Sequence, residues 1–198
     1  MSADNSASSA PSRASKPTRL DVCVYCGSST GDDPKFSAAA AALGTRFAAE
    51  NVGLVYGGGK IGLMGICART VMEAGGRVTG IIPDFLQTAE IAYEGISELH
   101  VTRSMHERKQ LMFDKSDAFV ALPGGIGTLE EVIEMLTWAQ LGRHNYPIIF
   151  LNIAGFWDPL ISLFDHMISN GFMKSGIRGH YAVVDRVEDV LPRIEAVL

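Results

Sequence analysis

The sequence predicts an α/β protein in which a parallel sheet is covered by helices on both faces. Short, continuous apolar runs alternate with longer helical segments along the chain, and such runs are typical of parallel strands buried on both sides. Three runs end in small residues, at Gly27, Gly57 and Gly124. Because ligands bind beyond the carboxyl ends of parallel strands, we expect these three loops to open onto one rim of a Rossmann-like sheet.

Length and charge narrow the class of protein. The chain has 198 residues, which is enough for one domain with a substantial core. Residues 1–18 are rich in Ser and Ala and predict a disordered tail, so that 19–198 form a single domain. The net charge of -5 argues against nucleic acid as a partner. No apolar run approaches membrane-spanning length, so no membrane partner is expected.

The three cysteines predict a reducing compartment. Cys23 and Cys26 have C-x-x-C spacing, but they fall at the end of a predicted strand, where an odd separation points two side chains to opposite faces. With Cys67, we interpret them as buried thiols rather than a redox or zinc pair, and we expect a cytoplasmic protein. The five histidines are scattered, and no metal site is predicted.

The first half of the chain alternates strands with glycine-terminated helices. Asn51 and Gly53 end an Ala-rich helix, and Pro83 ends the third strand, because proline cannot donate to a strand ladder. The predicted strands are Leu20–Tyr25, Leu54–Tyr56 and Arg77–Ile82, and the predicted helices are Pro34–Glu50 and a segment that begins at Leu63 and stops before Gly75.

The second half continues the pattern after an irregular connection, 84–98. Ser104 and Glu107 have the spacing of a capping box and predict a helix start. Further strands are expected at Leu99–Thr102, Ala118–Leu122, Pro147–Asn152 and Tyr181–Val184, and further helices from the Pro123–Gly127 turn to Gly142, over Asp158–Asn170, and over Val187–Val197 with an interruption near its start at Pro192.

The turn after the fifth strand is the strongest candidate for an anion site. A strand that breaks into glycines and restarts as a helix exposes backbone N–H groups at the positive end of the helix dipole. Thr128 either caps this helix or offers its hydroxyl to the same anion. Glu131 falls outside the predicted core stripe of Leu129, Val132, Ile133 and Leu136, so we expect it on a face with Met135 and Trp138. A structural turn remains an alternative.

Two further stretches carry candidate residues. Gly57, Gly59 and Gly62 match the G-x-G-x-x-G pattern, which fits either a dinucleotide site, with Asp84 near the ribose, or close helix–strand packing. Lys60 precedes Ile61, so the stretch is not a P-loop. Arg108 offers a fork for a phosphate or carboxylate, although a solvated basic face with Lys109 is the alternative.

Three motifs together resemble one family. Pro123-Gly124-Gly125-Ile126-Gly127-Thr128-Leu129-Glu130-Glu131 matches P-G-G-x-G-T-x-x-E, Met105-His106-Glu107-Arg108-Lys109 matches M-H-x-R-K, and Tyr56-Gly57-Gly58-Gly59 with Gly62-Leu63-Met64-Gly65 matches a third element. The chain from Leu20 onward resembles the LONELY GUY group of cytokinin-activating phosphoribohydrolases.

The resemblance implies an activity and a set of site residues. The activity is hydrolysis of the N-glycosidic bond of cytokinin riboside 5′-monophosphates to free base and ribose 5-phosphate, with AMP as a further substrate, no cofactor and no metal, in a homodimer or larger assembly. It implies catalytic roles for Arg108 and Glu131. The substrate-binding residues it implies are Gly27, Ser28, Gly57, Gly58, Met105, Arg108, Lys109, Gly124, Gly125, Ile126, Gly127, Thr128, Leu129, Glu130 and Glu131.

Two other functions are compatible with these motifs. Glycine loops by themselves produce binding, so a nucleotide-binding module without catalysis is the first alternative. A dinucleotide oxidoreductase is the second, and it depends on the glycine fingerprint of the second strand alone.

Overall fold

The computed structural model describes residues 19–87 and 92–198. The predicted tail, 1–18, and part of the irregular connection, 88–91, lie outside the described residues. The strands are β1 Asp21–Tyr25, β2 Gly53–Tyr56, β3 Val78–Pro83, β4 Glu98–Thr102, β5 Ala118–Ala121, β6 Ile148–Leu151 and β7 Ala182–Val184. The helices are α1 Pro34–Ala49, α2 Gly62–Glu73, α3 Met105–Asp114, α4 Ile126–Gln140, α5 Asp158–Ser169 and α6 Val190–Glu195, with short 3₁₀ turns at Asp84–Leu86, Ile153–Gly155, Ser175–Gly179 and Val187–Asp189.

The strands form one sheet in the order β4-β3-β2-β1-β5-β6-β7, and every pairing between them is parallel. Val22 of β1 lies opposite Leu54 of β2 on one side and Ala118 of β5 on the other. The strand order therefore reverses at β1, where ligands bind in open α/β sheets. The predicted fold class is confirmed, and the loops at Gly27, Gly57 and Gly124 leave three adjacent strands at one rim.

The sheet is covered on both faces because each strand buries side chains in both directions. Val22 and Val24 belong to a core shared with α1, α2 and α6, whereas Cys23 and Tyr25 belong to a second core shared with α3, α4 and α5. All four side chains are nearly inaccessible to solvent. Two helical layers therefore fix the direction in which each rim loop leaves the sheet.

Several element boundaries differ from the predicted ones. Helix α4 begins at Ile126, so Ile126 and Gly127 lie in its first turn rather than in the preceding loop. Helix α6 begins only at Val190, after the 3₁₀ turn Val187–Asp189. Pro192 falls in the first turn of α6, where a missing N–H costs no intrahelical hydrogen bond. The proline thus lies at the start of α6 and does not interrupt it.

The predicted start of α3 is confirmed by its capping contacts. Ser104 Oγ accepts a hydrogen bond from the Glu107 backbone N–H at 3.1 Å. The Glu107 carboxylate accepts from the Arg103 N–H at 2.8 Å, one residue before the cap. These two contacts fix the direction of α3 and therefore of Arg108, one residue further on.

Within the described part of the chain, no helix is long and apolar enough to cross a membrane. The three cysteines are free and buried. Cys23 and Cys26 belong to the two different cores, which confirms that they point to opposite faces of the sheet.

We predict that Cys23 and Cys67 do not react with thiol reagents in the native protein at pH 8. Burial raises the pKa of the Cys67 thiol to about 12, and burial together with the nearby Glu131 carboxylate raises the pKa of Cys23 above its usual value. With a pKa near 12, roughly one thiol in 10⁴ is ionised at that pH. Mass spectrometry after labelling checks this, and labelling in denaturant is the control. Rapid native labelling of either residue contradicts the prediction.

Candidate active site

The start of α4 presents open backbone groups at the rim. Gly125 is the N-cap residue, and no side chain caps the helix. The Leu129 N–H donates to the Gly125 carbonyl at 3.0 Å, so the three preceding amides lie before the first intrahelical bond. Gly125, Ile126 and Gly127 are exposed, and an added Cβ at Gly125 or Gly127 would meet nothing within 4 Å. This surface can accept an anion on its amides and on the positive end of the helix.

Thr128 does not cap α4, so that part of the prediction is wrong. Its side chain is buried and lies against Gly124, where an added Cβ would come within 2.2 Å of Thr128 Oγ1. The same Cβ would lie 2.8 Å from the Gly27 backbone nitrogen. Position 124 is therefore restricted to glycine by the close approach of the loops after β1 and β5.

The first N–H groups of α2 already have hydrogen-bond partners, in contrast to those of α4. The N–H groups of Leu63 and Met64 donate to the Gly27 carbonyl at 3.0 and 3.4 Å. Gly62 has φ +62°, and an added Cβ there would lie 2.2 Å from the Ser28 carbonyl carbon. These glycines therefore allow α2 to pack against the loop after β1. This arrangement favours the packing interpretation over a dinucleotide site, because the amides that would face a pyrophosphate already have partners.

A buried Arg108–Glu131 pair lies beneath the rim. Arg108 Nε donates to the Ile81 carbonyl at 3.2 Å, and Nη2 donates to the Gly57 carbonyl at 3.4 Å. Nη2 also lies 3.6 Å from Glu131 Oε1. Arg108 is 5% and Glu131 8% exposed. Two carbonyls and a carboxylate therefore compensate the loss of water around the guanidinium, which a buried ion pair requires.

The orientation of Glu131 differs from the predicted one. The core stripe predicted from the sequence excludes Glu131, but the buried side of α4 consists of Thr128, Glu131, Val132, Met135, Leu136 and Ala139. The shared face with Met135 is therefore confirmed, and the position outside the core is wrong. Leu129 and Ile133 are only partly buried and line a groove between α4 and α5. The helix thus turns Glu131 inward, toward Arg108. The prediction failed because the apolar pattern of α4 has two faces, and tertiary packing selects which one meets the sheet.

Lys109 links α3 to α4. Its ammonium lies 2.5 Å from Glu130 Oε1 and 3.2 Å from Glu134. Burial by itself lowers the pKa of Lys109, but the hydrogen bonds to Glu130 and Glu134 outweigh that effect and raise it. Among the residues expected to bind substrate, Lys109 and Glu130 therefore contact each other, and Leu129 lines the α4–α5 groove. None of these contacts is with the Arg108–Glu131 pair.

The remaining predicted residues lie around the pair or the α4 start. Met105 Sδ lies 3.7 Å from Arg108 Nη1. Gly58 has φ +81°, and an added Cβ would lie 3.0 Å from the Ile82 Cβ. Ser28 is exposed beside buried Gly27. A cavity of about 250 Å³ adjoins Gly124 and Gly125 between the loops after β1 and β5, and it is also lined by the rings of Phe36 and Phe156.

Sequence reasoning missed two contributors. The Ile81 carbonyl anchors Arg108, and a backbone acceptor leaves no residue-type signal. Tyr25 is 2% exposed, and burial, the Cys23 thiol and the Glu131 carboxylate raise its pKa well above the usual value. Its phenol is therefore neutral at physiological pH. The one signal in the sequence for Tyr25 is its place at the end of a central strand.

Known proteins with similar sequences identify the family of this chain. A family model described as "Possible lysine decarboxylase" matches residues 64–194. A cytokinin riboside 5′-monophosphate phosphoribohydrolase of Arabidopsis thaliana is 44% identical over 184 residues, covering 89% of this chain and 86% of the relative. One from Rhodococcoides fascians is 41% identical over 182 residues, covering 91% and 92%.

A solved structure shows the same fold. The molybdenum cofactor binding protein from Rippkaea orientalis superposes with a TM-score of 0.69 at 21% identity, covering 92% of this chain and 99% of that chain. Fold and site together define an α/β protein with an open helix start beside a buried arginine–glutamate pair. The chain belongs to the LONELY GUY family, as the matched model and the named relatives show.

Proposed function

We propose that this protein hydrolyses the N-glycosidic bond of cytokinin riboside 5′-monophosphates and releases the free base and ribose 5-phosphate. Family membership supports the reaction, since the relatives carry this activity in their names. The observation that carries the proposal is the Arg108–Glu131 pair, buried beneath the same rim onto which α4 opens. AMP belongs to the proposal as a second substrate, because the same phosphate and ribose contacts serve both nucleotides.

The first part of the mechanism is recognition of the 5′-phosphate. The amides of Gly125, Ile126, Gly127 and Thr128 hold the phosphoryl oxygens at the start of α4, with the loop of Gly27 and Ser28 on the other side. Gly125 and Gly127 leave room for this approach because they carry no Cβ. The positive helix end adds to the attraction, and no metal ion is required for binding.

The second part is cleavage at the anomeric carbon. Water adds to C1′ while the bond to the base nitrogen breaks, and the base leaves with a proton. The Glu131 carboxylate binds ribose hydroxyls or activates the water, and its charge stabilises the oxocarbenium-like transition state. Arg108 holds Glu131 in place and contacts the substrate. Gly57 leaves space for the guanidinium, because an added Cβ would lie 2.2 Å from Arg108 Nη2.

We further propose a homodimer or larger assembly of single-domain subunits in the cytoplasm. The groove between α4 and α5 supports association, since it is lined by apolar side chains such as Leu129, Ile133 and Leu160, and Leu163 is 45% exposed. One sheet takes strands from residues 21 to 184, which supports a single domain over 19–198. The free, buried cysteines support a reducing compartment.

Incubation with isopentenyladenosine 5′-monophosphate and with AMP tests the proposed reaction. We expect free base and ribose 5-phosphate in equal amounts, measured by liquid chromatography. Binding without turnover would instead support a nucleotide-binding module. Release of base from the nucleoside at the same rate as from the monophosphate would contradict phosphate recognition at α4.

We predict that Glu131→Gln lowers turnover about 10²- to 10⁴-fold, the range of a catalytic acid or base, because the amide keeps the size of the side chain and removes its charge. Steady-state kinetics measure the loss, and circular dichroism checks the fold. Glu73→Gln, at the exposed end of α2, changes the net charge equally and leaves the rate unaffected. A Glu131→Gln enzyme with near-normal kcat removes Glu131 from the mechanism.

We predict that Gly57→Ala impairs turnover through Arg108. The new Cβ would lie 2.2 Å from Arg108 Nη2, so the guanidinium must move, and circular dichroism checks that the variant keeps its fold. The displaced guanidinium then leaves Glu131, so the rate falls toward that of Arg108→Ala, which we expect to be severely impaired. Gly176→Ala, whose Cβ meets nothing within 4 Å, is the control. If both Gly57→Ala and Arg108→Ala keep the parent rate, Arg108 has no role in catalysis and serves only the structure.

A further inference from the structure

Three cationic side chains come from the elements that carry the site, and carboxylates engage two of them. Arg108 lies 3.6 Å from Glu131, and Lys109 lies between Glu130 and Glu134. Lys60 differs, because no carboxylate of residues 19–87 or 92–198 lies within 4 Å of its ammonium. Its side chain is exposed. Among the residues that the structure describes, Lys60 is thus the one of these three cations with no carboxylate within 4 Å.

The loop that carries Lys60 connects the two halves of the site. At one end, the Gly57 carbonyl accepts a hydrogen bond from Arg108 Nη2. At the other end, Gly62 packs so closely against Ser28 that a Cβ would lie 2.2 Å from the Ser28 carbonyl carbon. Lys60 lies between these contacts, at the carboxyl end of β2. Lys60 is therefore three residues from the Gly57 contact with Arg108 and two residues from the Gly62 contact with Ser28.

A second segment holds Lys60 at the rim. The Tyr93 N–H donates to the Gly58 carbonyl at 3.0 Å, and Ala92 forms a bridge with Gly59. The Lys60 ammonium lies 5.6 Å from the centroid of the Tyr93 ring. Cation–π contacts at exposed positions are weak, so the ring orients the ammonium and leaves it able to exchange this contact for a stronger anionic partner.

We propose that Lys60 is a ligand of the substrate's phosphate and increases the affinity for monophosphates over nucleosides. The inference rests on the proposed function for the identity of the ligand. A phosphate monoester carries close to two negative charges at neutral pH, whereas the helix start supplies about half a positive charge. The protein itself has a net charge of -5, and Glu131 lies beneath the rim. Lys60, whose ammonium has no carboxylate within 4 Å in the described part of the chain, supplies the missing charge, and the ammonium is a compact phosphate ligand.

The test compares Lys60→Gln with Lys60→Arg and with a charge-matched control, Lys174→Gln. Lys174 is exposed and follows α5, away from the carboxyl rim. Binding of isopentenyladenosine 5′-monophosphate and of isopentenyladenosine is measured by calorimetry in the Glu131→Gln background, which slows turnover. Steady-state kinetics use the otherwise unchanged chain.

We expect Lys60→Gln to weaken binding of the monophosphate about tenfold, the size of one exposed charge-assisted contact, and to leave nucleoside binding unchanged. KM rises by a similar factor while kcat stays constant, since the contact is the same in the ground and transition states. Lys60→Arg restores most of the affinity. The salt dependence of monophosphate binding becomes shallower in Lys60→Gln, and Lys174→Gln behaves as the parent chain.

Three outcomes overturn the inference. Equal monophosphate affinity in Lys60→Gln and the parent chain removes Lys60 from the site, as does the absence of monophosphate binding in the parent. An equal loss of affinity for nucleoside and monophosphate shows that Lys60 acts through the shape of its loop. In a further outcome, the unchanged chain binds the monophosphate, Lys60→Gln weakens that binding, and no base is released. This result supports the phosphate contact and contradicts the proposed reaction.

Discussion

The buried contact between Arg108 and Glu131 is the constraint on which the site depends. Arg108 reaches from α3 to carbonyls that follow β2 and lie within β3, and its guanidinium faces a carboxylate from α4. One side chain therefore ties two helices to two strand ends. Because a buried charge without compensation is costly, the four elements α3, α4, β2 and β3 must keep this arrangement together, and the Glu131 carboxylate is thereby held beneath the rim.

Two of the helix starts at the rim, those of α2 and α4, differ in whether their first N–H groups have hydrogen-bond partners. The start of α2 is closed by the Gly27 carbonyl, which accepts from Leu63 and Met64. The start of α4 is exposed around Gly125 and Gly127. Both helices begin in glycine-rich sequence. The glycines of α2 allow it to pack closely against the loop after β1, whereas those of α4 leave open space around the first amides of the helix. The reversal of strand order at β1 places the open start at the switch point of the sheet.

Charge distribution around the rim follows from these contacts. Lys109 binds Glu130 and Glu134 and therefore joins α3 to α4 on their outer side. Arg108 is buried, and the Glu131 carboxylate compensates its positive charge. The third cation, Lys60, belongs to the loop after β2, and its ammonium lies over the ring of Tyr93. A pattern of three basic residues along the sequence thus separates into three different environments.

The sequence by itself determined the fold class, the alternation of strands and helices, the cap of α3 at Ser104 and the opposite faces of Cys23 and Cys26, because periodicity, capping chemistry and strand geometry are local properties. It also determined the family, through three ordered motifs. Only the tertiary structure decided that Glu131 turns inward, that Thr128 supports Gly124 rather than capping α4, and which glycine-rich helix start stays open. Those outcomes depend on backbone carbonyls and loops that are distant in the sequence. Every residue has a backbone carbonyl, so the identity of a residue does not show which carbonyls will be contacted.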